Sequence, residues 1–343
     1  MSIRTWLLAA PIAALLAGPL GAGAEADKPR FDEITPRAKE AIDRGLAYLA
    51  NQQRGDGSFY DYRYRSAMAI NSFALLAFLA GGHTPGRGPY GRHVARSVEY
   101  HLKHVQATGL IAHGVPHYAM YSHGMSTLAL AEVYGITKSP EIRSALKKAV
   151  ELIIRCQNNQ GGWRYQPRVH DADISVTVMQ VMALRAAQVS GIRVPQDTID
   201  RAVKYVKGCK VTGRDSGGFS YRFRSGPPGF ARTAAGCAAL LYAGRYEAEE
   251  IGDGLTYLAK HRRNPGKWYW YGHYYAAQAM FQAGGEHWDA WFPAVRDELL
   301  KKQDVKGYWR QQRGGPGTNN VFETSIALVV LQIPNRYLPI FHR

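Results

Sequence analysis

Gln160-Gly161-Gly162-Trp163-Arg164-Tyr165 is followed, after a short polar run, by Asp171-Ala172-Asp173-Ile174-Ser175-Val176-Thr177 and a stretch of apolar residues long enough for a helix. Paired glycines beside an aromatic mark a turn. An aspartate directly before an apolar run marks a helix N-terminus, because its carboxylate accepts the first free backbone N–H groups. The residues beyond it are small or apolar almost throughout, so that helix should be surrounded by protein.

The same order of turn, polar start and apolar helix recurs along the chain. Gly57-Ser58-Phe59, Gly161-Gly162-Trp163, Gly217-Gly218-Phe219, Gly266-Lys267-Trp268 and Gly307-Tyr308-Trp309 are clear copies of the turn, and Gly109-Leu110-Ile111 is a degenerate one. The third residue of each falls at 59, 111, 163, 219, 268 and 309, a period near fifty with a shortened last step. Such a period means one supersecondary unit repeated. Before each turn lies a segment with charges on one side only (36–53, 91–106, 140–157, 195–207, 248–262, 288–303), and after each lies one nearly free of charge (66–80, 125–134, 175–187, 233–243, 274–283, 324–332). Six half-wet helices alternating with six buried ones predict two concentric layers closing on themselves; an open solenoid of helix pairs uses the same alternation. The Pro-rich apolar end, 333–341, should pack against the body.

Residues 1–24 carry one basic residue, an apolar stretch and a small-residue end, and read as a secretory signal cleaved before Glu25. Residues 25–343 then form a single repeat domain, and the protein is expected to be exported. A formal net charge of +16 favours anionic partners such as acidic glycans, phosphates or phospholipid surfaces. No nucleic-acid motif is present, so nucleic acid is not expected as a partner; peripheral contact with a membrane is left open. Cys156 and Cys209 hold comparable places in consecutive copies, where one bridge is compatible with an oxidising compartment, and Cys237 reads as a buried thiol.

Aligning the apolar helices on Thr177, Thr233 and Thr324 places Val176, Arg232 and Glu323 just before the shared position, and approximate placement adds His123 and His273. These helix ends would surround one mouth. Asp173, Asp171, His123, Arg232, His273, Tyr274 and Glu323 are therefore the candidate site residues, with Tyr121, Tyr271 and Tyr275 near them. Each also has a structural reading: Asp173 as an N-cap, Glu323 as a first-turn acid, the histidines as hydrogen-bonded core residues.

The Gln-x-x-x-Gly-x-Trp-like turn before a small-residue helix, repeated about six times, resembles the prenyltransferase and squalene-oxidase repeat. The resemblance implies the all-α, α/α-toroid fold of the terpenoid cyclase and protein prenyltransferase superfamily. Asp171-Ala172-Asp173-Ile174 is similar to the Asp-x-Asp-Asp motif of squalene–hopene-type cyclases, with Ile174 in place of its last acid, which implies Asp173 as a general acid beside Asp171. Those cyclases use two such domains, and this chain has length for about one. The zinc of protein prenyltransferases needs Asp, Cys and His; Cys237 has no matching partners, so no metal or other cofactor is expected. Three functions stay open: a toroid with a cavity for an isoprenoid or other apolar ligand, a non-catalytic toroid binding a ligand or protein, and an acidic-glycan lyase or hydrolase. In the last, His273 or Tyr274 would be the base with Arg232 neutralising the substrate, or Asp173 and Glu323 would be the hydrolytic pair.

Overall fold

A computed structural model describes residues 33–114, 116–168, 170–213, 217–310 and 320–342. The expected signal, 1–24, lies outside the described residues. Six helix pairs follow one another: α1 (Pro36–Gln52) and α2 (Met68–Ala80), α3 (Gly91–Lys103) and α4 (Ala119–Thr137), α5 (Pro140–Arg155) and α6 (Ile174–Val189), α7 (Gln196–Lys207) and α8 (Phe230–Tyr242), α9 (Glu249–His261) and α10 (Tyr269–Ala283), α11 (Gly285–Lys302) and α12 (Val321–Gln332). Even-numbered helices, buried nearly all round, form an inner ring, and odd-numbered helices with one exposed face form the outer ring. Helix α12 packs on both α2 and α1, so the layers close and the fold is an α/α toroid. No described helix is long and apolar enough to cross a membrane.

The turns lock neighbouring pairs together through one repeated device. The side-chain amide of Gln157 donates to the carbonyl of Gly161 in its own turn and to that of Thr198 on the next outer helix, both at 2.9 Å. Gln53 makes the same pair of bonds to Gly57 and His93 at 3.1 and 2.9 Å. Gln303 makes them to Gly307 and Ala41 at 3.0 and 2.8 Å, and thereby ties the last copy to the first. The turn glycine lies flat against that next outer helix. At Gly161, with φ +95°, an added Cβ would stand 2.1 Å from the Arg201 carbonyl oxygen, so a side chain is excluded by both backbone conformation and space.

A second bond joins each turn to its own inner helix. Thr177, Thr233 and Thr324 accept the backbone N–H of Trp163, Phe219 and Trp309 at 3.2, 3.0 and 3.2 Å. Asn71 does so for Phe59, and His123 for Ile111. The indoles of Trp163 and Trp309 are buried and donate to the carbonyls of Ile153 and Leu299 on the preceding outer helices. Their rings therefore fill core while their one polar atom stays paired.

All inner-helix N-termini lie at one end, the mouth. The opposite end is sealed by the chain's last residues, where the amide of Gln282 donates to the carbonyls of Ile340 and Phe341 and the N–H of Ile340 donates to the Glu132 carboxylate at 3.3 Å. Leu338, Ile340 and Phe341 are buried, as the apolar tail predicts. The bore between is occupied by side chains. Phe73 of α2 meets Tyr274 of α10 past the intervening α12, with ring centroids 5.0 Å apart, and Tyr242 of α8 donates to Gln278 of α10.

Two expectations are corrected, and the bridge left open between Cys156 and Cys209 is absent. The fifth copy has no Gly-aromatic turn of the common kind: Gly266–Trp268 is a 3-10 turn leading directly into α10, which starts at Tyr269 rather than 274, and Trp268 is 49 % exposed. Helix α4 likewise starts earlier, at Ala119, after a 3-10 turn at Pro116–Tyr118. No bridge joins Cys156 to Cys209; all three cysteines are free and buried.

Gln303→Ala should lower the unfolding free energy by about 2 kcal/mol, since two buried carbonyls lose their donor. Gly161→Ala should cost more, roughly 3 kcal/mol or above, because strain and collision add. Gly191→Ala is the control: φ is +93° but nothing lies within 4 Å of an added Cβ, so about 1 kcal/mol of backbone strain is expected. Urea denaturation of the three variants checks the order.

Candidate functional site

The mouth begins with α6. Asp173 is its N-cap and is fully buried. Its Oδ1 accepts the backbone N–H groups of Ser175 and Val176 at 2.9 and 3.0 Å and the Ser175 hydroxyl, while Oδ2 takes Arg164 Nη1 at 2.5 Å. Both of its oxygens are thus engaged, one by the helix N–H groups and a hydroxyl and the other by a guanidinium. Arg164 also reaches Asp171 at 3.3 Å and the Tyr221 hydroxyl at 2.9 Å, and Arg222 reaches Asp171 at 3.2 Å. Acid and base therefore alternate from Asp173 through Arg164 and Asp171 to Arg222.

Tyrosines cover this chain of charges. Tyr165 and Tyr221 share a short hydroxyl–hydroxyl bond, Tyr121 meets the Ser175 hydroxyl at 2.5 Å, and Tyr271 of α10 donates across the mouth to the Ser175 carbonyl at 3.1 Å. Tyr271 is also a wall of a cleft on its other side. That cleft is formed by Arg63, Tyr64, Lys267, Trp268, Phe322 and Glu323 together with Tyr269, Trp270 and Tyr271.

Glu323, on the first turn of α12, is 3 % exposed. Burial, and after it the negative charge of Asp61, pushes its carboxyl up to about 8, so it is a neutral acid at neutral pH. Asp61 is raised by burial as well but is held by backbone N–H groups: Arg63 and Tyr64 at 2.9 and 3.0 Å, and Phe322 at 3.3 Å. Asp61 therefore shapes the tip that carries Arg63 and supplies the charge that helps keep Glu323 protonated. Over the cleft, Arg63 and Lys267 both lie against the Trp268 ring, at 5.7 and 5.2 Å from its centroid.

The structure thus brings together Asp171, Asp173, Tyr121 and Tyr271, and sets Glu323 just beyond Tyr271. It places the others elsewhere. His123 and His273 fall on the shared Thr position, one residue later than expected, because the 3-10 turns before α4 and α10 shift the register. His123 accepts from Ile111 N–H at 3.1 Å and bonds the Ala149 carbonyl at 3.1 Å, which fixes a neutral ring carrying its proton on Nε2, and burial lowers it to about 4. His273 is 1 % exposed, packed against Phe230, Tyr269 and Trp291, and neither ring nitrogen has a protein partner; burial pushes it down to about 3. The turn that would have bonded it is missing from copy five. Arg232 folds back onto the Pro228 carbonyl at 3.3 Å, and Tyr274 and Tyr275 are buried in the bore.

The sequence reading missed Arg63, Asp61, Arg164, Tyr165, Tyr221, Arg222, Lys267 and Trp268. A signal existed: Tyr62-Arg63-Tyr64-Arg65, Arg164-Tyr165 and Tyr221-Arg222-Phe223-Arg224 follow the turns of copies one, three and four.

Two outcomes follow. Replacing His273 by Leu should raise stability by about 1–2 kcal/mol, since a buried imidazole without partners is exchanged for an apolar group; a thermal melt checks it. Glu323 and Glu132 are each raised from 4.5 to about 8, chiefly by burial. The unfolded chain loses these protons first, so their stabilising contribution is complete below pH 4.5 and is lost as pH rises to about 8. The slope is roughly 1.4 kcal/mol per pH unit for each group. Chemical denaturation across that window should show Glu323→Gln and Glu132→Gln each removing about one group's share of the decline.

No protein-family model and no curated protein sequence matches the chain. Solved structures do resemble it. The GH76 α-1,6-mannanase of Salegentibacter sp. HEL1_6, in complex with α-1,6-mannotriose, aligns with a TM-score of 0.66 at 10% identity over 88% of this chain and 99% of that one. The GH76 α-mannanase of Bacteroides thetaiotaomicron aligns at 0.62 with 12% identity, over 89% and 98%. The type II terpene cyclase MstE of Scytonema, in complex with geranylgeranyl dihydroxybenzoate, aligns at 0.60 with 13% identity, over 90% and 100%. At these identities the likeness is one of fold, and the chain shares the α/α toroid of both enzyme groups.

Proposed function

We propose that the protein acts on a glycan at the mouth of the toroid, with Glu323 as the proton donor. One observation carries this reading: a carboxyl kept neutral up to about pH 8 in the wall of an aromatic cleft at the mouth. A general acid must hold its proton at the working pH and still reach the leaving oxygen. In this reading Glu323 gives its proton to the glycosidic oxygen. The bond from that oxygen to the anomeric carbon breaks, water bonds to the carbon in its place, and Asp171, 39 % exposed between Arg164 and Arg222 on the far side of Tyr271, takes the proton that the water gives up.

The likeness to mannanases supports a glycan and the likeness to a terpene cyclase supports an isoprenoid, and the chemistry of the cleft separates them. A carbocation cascade needs aromatic faces free to stabilise positive charge. Here Arg63 and Lys267 already lie over Trp268 and would repel a carbocation. The acid of the cyclase-like motif, Asp173, is ion-paired, and the bore that would receive an isoprenoid holds Phe73, Tyr274 and Tyr275. The engagement of Asp173 favours, as a second reading, a toroid that binds a glycan without cleaving it. The signal-like residues 1–24 support a place of action outside the cytoplasm.

Incubation of residues 25–343 with α-mannan, polygalacturonate and squalene, followed by assays for new reducing ends, unsaturated sugars and cyclised products, tests the proposal. Turnover of a glycan that falls at least about 100-fold in Glu323→Gln, with binding retained, is the expected result. It should decline as pH rises through about 8. Binding without turnover leaves the second reading. Cyclisation of squalene abolished by Asp173→Asn overturns both.

A further inference from the structure

We infer that the rim of the mouth is built to hold a polyanion, an acidic glycan chain lying across the tips of several copies. The inference deepens the glycan reading by naming the charge and length of the ligand, and it rests on that reading for the ligand being a sugar.

The tips follow the turns of copies one, three and four. In copy one Asp61 pairs with Arg65, and in copy four Arg222 pairs with Ser225, each closing a tight antiparallel bend. Arg65 and Arg224 turn these bends with φ of 53° and 49°, a conformation uncommon for residues other than glycine. These two tips thereby set arginines beside aromatic faces: Arg63 over Tyr64 at 5.2 Å and Arg224 over Phe223 at 5.3 Å. A guanidinium laid on a ring has lost much of its freedom and keeps N–H edges for a planar bidentate anion such as a carboxylate or sulfate.

What sets the rim cations apart is the aromatic rings beside them. On the outer wall Lys39, Arg44, Arg201 and Lys302 have an acid one helical turn away, while others such as Arg143 and Lys147 are exposed and form no ion pair among the described residues. At the rim Arg63, Arg65, Arg168, Arg224 and Lys267 are exposed and form no ion pair among the described residues. Tyr62, Tyr118 and Trp268 stand on the same end, 66 %, 48 % and 49 % exposed, as flat surfaces for sugar rings. A bilayer would call for clustered aliphatic side chains, and Val305 is alone of that kind among the large exposed apolar residues described at this end. Cations spread over four copies, alternating with aromatic rings, match a chain with a charge on successive sugars better than a single small anion.

The test measures binding of the protein from residue 25 onward to polygalacturonate fragments of increasing length, to neutral mannan, and to phosphatidylglycerol–phosphatidylcholine vesicles. Affinity for polygalacturonate should rise with fragment length and weaken with salt. It should fall about tenfold or more in the double variant Arg63→Gln, Arg224→Gln, because two charge-assisted contacts are removed. Arg143→Gln with Lys147→Gln, on the outer face of α5, keeps the net-charge change and should leave affinity within about twofold. Equal loss in both double variants, equal binding of mannan, or vesicle binding without polygalacturonate binding would overturn the inference. Cleavage of a neutral glycan with no effect of the rim variants would sink this inference and leave Glu323 in its role. Rim-dependent binding without cleavage would do the reverse.

Discussion

A glutamine amide at the end of an outer helix, donating both to its own turn and to the next outer helix, is the bond on which the ring depends. It recurs at Gln53, Gln157 and Gln303, and the last of these joins copy six to copy one. Helix pairs pack by apolar contact in many relative positions. The paired carbonyls, the flat glycine and the N–H given to Thr177, Thr233 or Thr324 select one of them. A closed ring of six then places all inner-helix N-termini at one end, where backbone N–H groups and short polar loops collect.

The candidate site is built from departures from that pattern. Copy three adds Arg164 and the acids Asp171 and Asp173 to its helix start, and the result is a paired, fully hydrogen-bonded N-cap rather than a free acid. Copy five loses its turn, which releases Trp268 from the core to the mouth and leaves His273 without the bond its counterpart His123 makes. Copy six places Glu323 where copy three has Val176, and buries it beside the loop of copy one that carries Asp61. The alterations of copies five and six meet copy one in one cleft, and Tyr271 stands between that cleft and the acids of copy three.

The fold was legible because its determinants are local and repeated. Gly161 needs a positive φ and closeness to a carbonyl, and no other residue meets both needs, so the turn shows in the sequence each time it is used. The tail was legible for a similar reason, being apolar where a free end would be polar. The site was legible only in part. Asp171, Asp173, Tyr121, Tyr271 and Glu323 were found because they flank the repeat, whereas His123 and His273 were misplaced by a one-residue shift that 3-10 turns introduce without a sequence marker. Asp61 and Arg63 meet Glu323 across the ring closure, and the covering of Trp268 by two cations depends on loops from different copies. Neither neighbourhood can be read from spacing along one chain.

The proposed chemistry rests on Glu323 holding its proton, and infrared difference spectroscopy of the folded protein observes that directly. Glu132 is a second acid of the same kind, so the predicted result is carboxylic acid absorption at pH 7 of which Glu323→Gln and Glu132→Gln each remove a separate share, both titrating near pH 8. A spectrum in which Glu323→Gln changes no acid band at pH 7 would mean that the residue is already ionised there, and the mouth would then lack its proton donor.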